Sequence, residues 1–172
     1  MPFAFPYHAT ALLCALCVSV GAAAPAMAEE IVFENPCLRL VLGDDAAWRA
    51  AVDKAAGADY CPRDKKIRIA EVVTAGKRCP AAKASRDGNT LTIAFDGCDT
   101  QLIYQATSAP EWLAFRLVGV KGTRPTQATV LRLGTTIADR VGPRMNAAWN
   151  DAYGMCVAAM NLQTQGQAVR RS

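Results

Sequence analysis

Ala46-Ala47-Trp48-Arg49-Ala50-Ala51-Val52-Asp53-Lys54-Ala55-Ala56-Gly57-Ala58 is the stretch on which the fold class turns. By propensity it reads as a helix: Asp45 stands where a cap belongs, alanine dominates, and Trp48, Val52 and Ala55 share one helical face. By context it reads equally as a hairpin, with Trp48 to Val52 as one arm, Asp53 to Gly57 as the turn and Asp59-Tyr60 opening the other arm. Propensity is the weaker guide wherever tertiary packing decides.

On both sides of this stretch the pattern is that of strands. Ile31-Val32-Phe33 and Leu38 to Leu42 are short extended runs split by Asn35-Pro36, and proline belongs at a break in a ladder rather than inside it. Gly43-Asp44-Asp45 is a turn. Further on, Ile67, Ile69, Glu71 and Val73 fall at period two, with Glu71 marking an edge or a half-exposed face. Asp87-Gly88 turns the chain ahead of the alternating Leu91, Ile93 and Phe95. Leu102-Ile103-Tyr104, the long run Trp112 to Val120, and Val130 to Leu133 supply three more apolar segments. Short strands spaced by turn residues predict an all-β, antiparallel β-sandwich or open barrel, not alternating βαβ units. The last quarter changes character. Gly142 to Tyr153 reads as a polar loop carrying two large aromatics, Gly154 to Leu162 as an apolar run, and 163–172 as a flexible tail.

The N-terminus predicts export. Ala9 to Ala24 is apolar, Ala26-Met27-Ala28 has the small residues a signal peptidase reads, and Glu29-Glu30 follow, although no Lys or Arg precedes the apolar run. The expected organisation is a helical signal peptide over 1–28, a β-sandwich domain over 29–162 and the tail, in a secreted or periplasmic protein with no membrane attachment after cleavage. Neither Cys14 nor Cys17 has the small preceding residue of a lipoprotein signal.

The cut also removes His8, the only histidine among 172 residues. Without histidine, Ser-His-Asp and Cys-His machinery and the common zinc and non-haem iron sites cannot be assembled, so no metal and no cofactor is expected. Gly76-Lys77 lacks the other residues of a phosphate loop, which disfavours a nucleotide enzyme. The 19 basic and 15 acidic residues are interleaved without a basic stripe, which disfavours nucleic acid as a partner. Five cysteines follow the leader, Cys37, Cys61, Cys79, Cys98 and Cys156. None forms a C-x-x-C with another, so they read as structural, enough for two disulfides and one free thiol in an unassigned pairing, with Cys37 to Cys156 one attractive staple.

Two chemistries remain. Acids at turns and strand ends, Asp53, Asp59, Asp96, Asp99, Glu111 and Asp151, offer carboxylate pairs for glycoside cleavage, though solvated turn acids explain each of them singly. Trp48 and Trp112 read as core. Trp149, beside Asn150, Asp151 and Tyr153, combines an apolar plate with hydrogen-bonding groups as a sugar ring requires, and these four are the expected ligand-binding residues.

Phe33-Glu34-Asn35-Pro36-Cys37-Leu38-Arg39-Leu40, Val52 to Tyr60, Asp87 to Ile93 and Trp112 to Leu117, taken in order, resemble the N-terminal galactose-mutarotase-like β-sandwich that precedes the barrel in secreted bacterial glycoside-hydrolase-like proteins. The resemblance covers Ile31 to about Leu162. It implies a supersandwich-like fold, makes the Val52 to Tyr60 segment a hairpin, and implies a non-catalytic module that binds carbohydrate or docks to a glycoside hydrolase catalytic domain. The sequence departs from the pattern at Ala56, where threonine is common, and contains no catalytic barrel, so no catalytic residue carries over. Two other expectations stand beside it: a small carboxylate-dependent polysaccharide hydrolase or lyase using acids such as Asp99 and Glu111, and an extracytoplasmic protein-binding domain.

Overall fold

In the computed structural model, which describes residues 30–160 and 164–168, every regular element is a strand and every ladder is antiparallel. The expected signal peptide over 1–28 lies outside the described residues, as do Gln163 and the last four residues of the tail.

The ambiguous stretch is a hairpin. Strand β1 (Glu30–Glu34) pairs with β2 (Leu38–Gly43), β2 with β3 (Trp48–Asp53), and β3 with β4 (Ala58–Asp59). Its buried positions are set by a bulge. Val41 pairs with Ala50 and Leu42 with Trp48, leaving Arg49 as the extra residue of a β-bulge, so Trp48 and Ala51, three apart, both point into the core. The face a helix would bury is not the buried one, since Val52 is half-buried and Ala55 exposed. Alanine's helix propensity is overridden because β3 buries these side chains against the interior. The turns flanking it are held by side-chain carboxylates: Asp53 accepts the Ala55 N–H at 2.9 Å, and Asp59 accepts the N–H groups of Ala51 and Cys61 at 2.9 and 3.0 Å.

A second sheet has the order β10-β5-β6-β7-β8-β9. Its strands are β5 (Glu71–Thr74), β6 (Lys77–Asp87), β7 (Thr90–Phe95), β8 (Gln101–Ser108), β9 (Leu113–Lys121) and β10 (Gln127–Thr129). Alternation holds where it was expected, with Leu91, Ile93 and Phe95 of β7 buried, and the apolar run Leu102-Ile103-Tyr104 is likewise part of an alternating strand, β8, which buries Leu102, Tyr104 and Ala106. The β5–β6 turn, Ala75-Gly76, has positive φ at both residues, 49° and 77°, as a two-residue hairpin loop requires. Strand β6 pairs with β5 through its first half and with β7 through its second, and a bulge between Ala81 and Lys83 marks the change.

Three expectations are corrected. The period-two run Ile67 to Val73 is not one strand: only Glu71–Thr74 is in a ladder, and the buried positions shift phase from Ile69 to Val72. Val130 to Leu133 joins no ladder. It runs across the core, where Tyr104 OH donates to Val130 O at 2.7 Å and Trp48 Nε1 to Arg132 O at 2.6 Å. The polar loop Gly142 to Tyr153 is interrupted by the central strand of a small sheet, made of β11 (Arg140–Gly142), β12 (Ala147–Trp149) and β13 (Gly154–Cys156).

One hydrophobic cluster joins the first two sheets. Ile31, Phe33, Leu40, Leu42 and Trp48 meet Val72, Leu91, Ile93, Leu102 and Tyr104, and Phe115 of β9 sets its ring against Phe33 at 4.9 Å and Trp48 at 6.5 Å. Met155 packs on its margin from the third sheet. Trp48 is core as read. Trp112, read the same way, is exposed because it precedes β9 rather than lying in it.

Candidate functional site

The four residues singled out for ligand binding lie on the β12–β13 hairpin. Trp149 ends β12, paired with Arg140 and Gly154. Its indole lies over Gly142, where a Cβ would come within 3.0 Å of the ring. Asn150 accepts the N–H groups of Ala152 and Tyr153 at 2.9 and 2.7 Å, and its own N–H bonds to Tyr153 O at 3.0 Å. That is an Asx-type turn, so the amide oxygen is committed to shaping the hairpin. Asp151 pairs with Arg140 at 2.9 Å across the sheet end.

Tyr153 is the member that also meets an aromatic ring of the first sheet's margin, Tyr60 just after β4. Its ring stacks on Tyr60 with centroids 5.0 Å apart and planes 2° from parallel. Burial raises the Tyr153 phenol above its ordinary value, and the Asp53 carboxylate, Cys37 and Tyr60 push the same way. Asp53 itself is buried. Sequence reasoning missed Tyr60 as a partner because it sits 93 positions earlier in the chain, beyond any local pattern. The arrangement is a half-buried aromatic pair beside an acid, with one face of each ring already covered by the other.

Asp99 and Glu111 do not converge as a hydrolase pair. Asp99 stands before the start of β8 and Glu111 beyond its end, just ahead of β9, so the eight-residue length of β8 separates them, roughly 25 Å of strand. Paired acids in glycosidases stand about 5–10 Å apart. Asp99 is instead a turn acid: hydrogen bonds from the Thr123 hydroxyl and N–H hold its carboxyl below the usual range. Asp59 is also structural. Burial opposes its ionisation, but the Ala51 and Cys61 N–H bonds and the Arg63 guanidinium outweigh that and hold it low.

A cleft of about 360 Å³ opens between β1 and the ends of β8 and β9. Its polar rim is occupied by internal bonds: Arg86 lies over the Phe33 ring at 4.8 Å and donates to Val32 O and Gly88 O, and Ser108 donates to Glu34 O at 2.7 Å. The outer strand β9 is different. It pairs with β8 alone, and beside its free edge Trp112, Val118, Val120 and Leu117 are 54, 53, 41 and 39% exposed. Val118 is the unpaired residue of a bulge opposite Ile103 and Tyr104.

All five cysteines among the described residues are free thiols in the structure, so the Cys37 to Cys156 staple is not formed. Among the described residues no three His, Cys, Asp or Glu side chains gather as metal ligands, and no helix is long and apolar enough to cross a membrane. Comparison with protein-family models, with curated proteins and with solved structures gave no match.

Proposed function

We propose that this chain is an exported, non-catalytic β-sandwich module of the galactose-mutarotase-like kind, and that it works by docking to a glycoside hydrolase catalytic domain. The sandwich reading is supported by the single core shared by the four-stranded and six-stranded sheets, with Phe33 and Trp48 on one side and Phe115 on the other. The observation that carries docking is β9. An edge strand nine residues long, with Trp112, Leu117, Val118 and Val120 exposed along it, offers both unpaired backbone groups and apolar surface to another domain. The resemblance supplies the kind of partner.

Glycan binding is the second reading. It rests on the Tyr60–Tyr153 pair beside Asp53, and it is weakened by the internal commitments of Asn150, Asp151 and Trp149. Titration of the purified chain with glycoside hydrolase catalytic domains tests docking, with Val118→Lys alongside. Binding that weakens tenfold or more in the folded variant is expected; no binding to any such domain sinks the reading. A polysaccharide panel run with Trp149→Ala separates the alternatives: glycan affinity lost in that variant moves the function to the β12–β13 hairpin, and released reducing ends make the chain an enzyme.

A further inference from the structure

Cys79 and Cys98 meet at the open end of the β6–β7 hairpin. The ladder ends with Ala81 opposite Phe95, and one step further the Asp96 N–H bonds to Pro80 O at 2.9 Å. Gly97, at φ +74°, then turns the chain, and Cys98 packs against the core cluster to which Cys79 belongs. The two thiols are near enough for each to shift the other's ionisation, and the Cys79 S–H is directed to Lys77 O at 3.8 Å. Cys79 has no exposed surface and belongs to the core, whereas Cys98 is half-buried at the core's margin.

Their surroundings make the two thiols unequal. Burial disfavours the Cys98 thiolate, but the neighbouring Cys79 thiol and the Thr100 N–H favour it more, and its thiol is held below the ordinary value. The Thr100 hydroxyl itself donates to Thr123 O at 2.6 Å, which keeps that side chain fixed beside the sulfur. Burial and the neighbouring Cys98 push Cys79 up. Lys77 lies over the same bend, its Nζ within 2.6 Å of where a Cβ on Gly97 would be.

We propose that Cys79 and Cys98 are a dithiol site that closes to a disulfide by exchange with an external disulfide, Cys98 attacking first and Cys79 resolving. This goes beyond the docking reading and does not depend on it. The Cys98 thiolate attacks one sulfur of the external disulfide, whose S–S bond breaks and releases a thiolate, leaving a mixed disulfide on Cys98. Cys79 gives its proton to water or to the departing thiolate and attacks the Cys98 sulfur. The Cys79–Cys98 bond forms and the second external thiolate leaves. The protein dithiol is oxidised, and the external disulfide is reduced to two thiols.

The test uses the full chain, reduced, then exposed to oxidised glutathione under native conditions, alkylated and digested with trypsin. The expected product is Cys79–Lys83 joined to the peptide carrying Cys98, two hydrogens lighter than the separate thiol peptides, with Cys37, Cys61 and Cys156 not joined to either. Cys79→Ser, checked as folded by circular dichroism, should stop with glutathione on Cys98, and Cys98→Ser should leave Cys79 unmodified. Both thiols remaining alkylatable in the wild type, or either sulfur bridged to another cysteine, overturns the pairing. Glutathione entering at Cys79 in folded Cys98→Ser as fast as at Cys98 in Cys79→Ser overturns the order of attack.

Discussion

Removing one oxygen atom from the core, by Tyr104→Phe, tests whether the segment after β10 is anchored as described. Tyr104 is 1% exposed, and its hydroxyl donates to Val130 O at 2.7 Å, one of the ties that hold a segment without ladder bonds across the core. The ring stays, so no large cavity opens. The variant loses a net hydrogen bond worth about 1 kcal/mol and leaves the Val130 carbonyl, which is only half-buried, partly unsatisfied; together about 1.5 kcal/mol. Urea denaturation should show a midpoint lower by roughly 0.5–1.5 M with an unchanged slope, and the thermal midpoint should fall by about 3–6 °C. The same residue sets a pH signature. Burial raises the Tyr104 phenol far above its ordinary value of 10.0, so the folded state keeps it neutral while the unfolded chain ionises. Its contribution is therefore present below about pH 10 and is lost above it, and the wild type should lose about 1.4 kcal/mol of its advantage over the variant by pH 11. A loss under about 0.3 kcal/mol at neutral pH, or two stability curves that stay parallel above pH 10, would refute the reasoning.

Three more changes probe the turns. Ala75→Gly should stabilise the chain by about 0.5 kcal/mol in urea denaturation, because relief of a left-handed alanine at φ 49° exceeds the added freedom of the unfolded chain; destabilisation would count against that strain. Asp59→Asn should cost about 2 kcal/mol at neutral pH. Since the Asp59 carboxyl is held below its ordinary value of 3.8, its stabilisation is present above about pH 4 and fades as pH falls through the folded value, so wild type and variant should converge in acid. Asn150→Ala removes the acceptor of two turn N–H groups, and hydrogen exchange over 147–156 should quicken by about fivefold while β7 and β8 are unaffected.

Hairpins whose strands alternate cleanly were legible in the sequence. Asp87-Gly88 and the in-phase Leu91, Ile93 and Phe95 placed one arm of the β6–β7 hairpin and its turn, and Asn35-Pro36 separated β1 from β2. What escaped had a common cause. Strand β6 buries only Cys79, Ala81 and Ala84, small side chains split in phase by its bulge, so the longest strand carries almost no hydrophobic signal. The Val130 to Leu133 run looks like a strand because it is apolar, but in place of a ladder its backbone has one main-chain bond, Arg132 N–H to Ile69 O, and two side-chain donors. The candidate site was legible as composition and not as geometry. Trp149 to Tyr153 did prove to be one hairpin, yet Asn150 and Asp151 serve its turn, and Tyr60, the aromatic actually in contact with Tyr153, comes from the far side of the sequence.

The sheet order β10-β5-β6-β7-β8-β9 also carries a kinetic consequence. Strands β5 to β9 each pair with their sequence neighbour, so these ladders can zip up one after another as the chain emerges from the ribosome. The outer side of Glu71–Thr74 must wait for Gln127–Thr129, more than fifty residues later. Until those three residues arrive, a nascent chain presents a bare strand edge, and any pause in synthesis between residues 108 and 127 lengthens the period in which neighbouring nascent chains can pair with it.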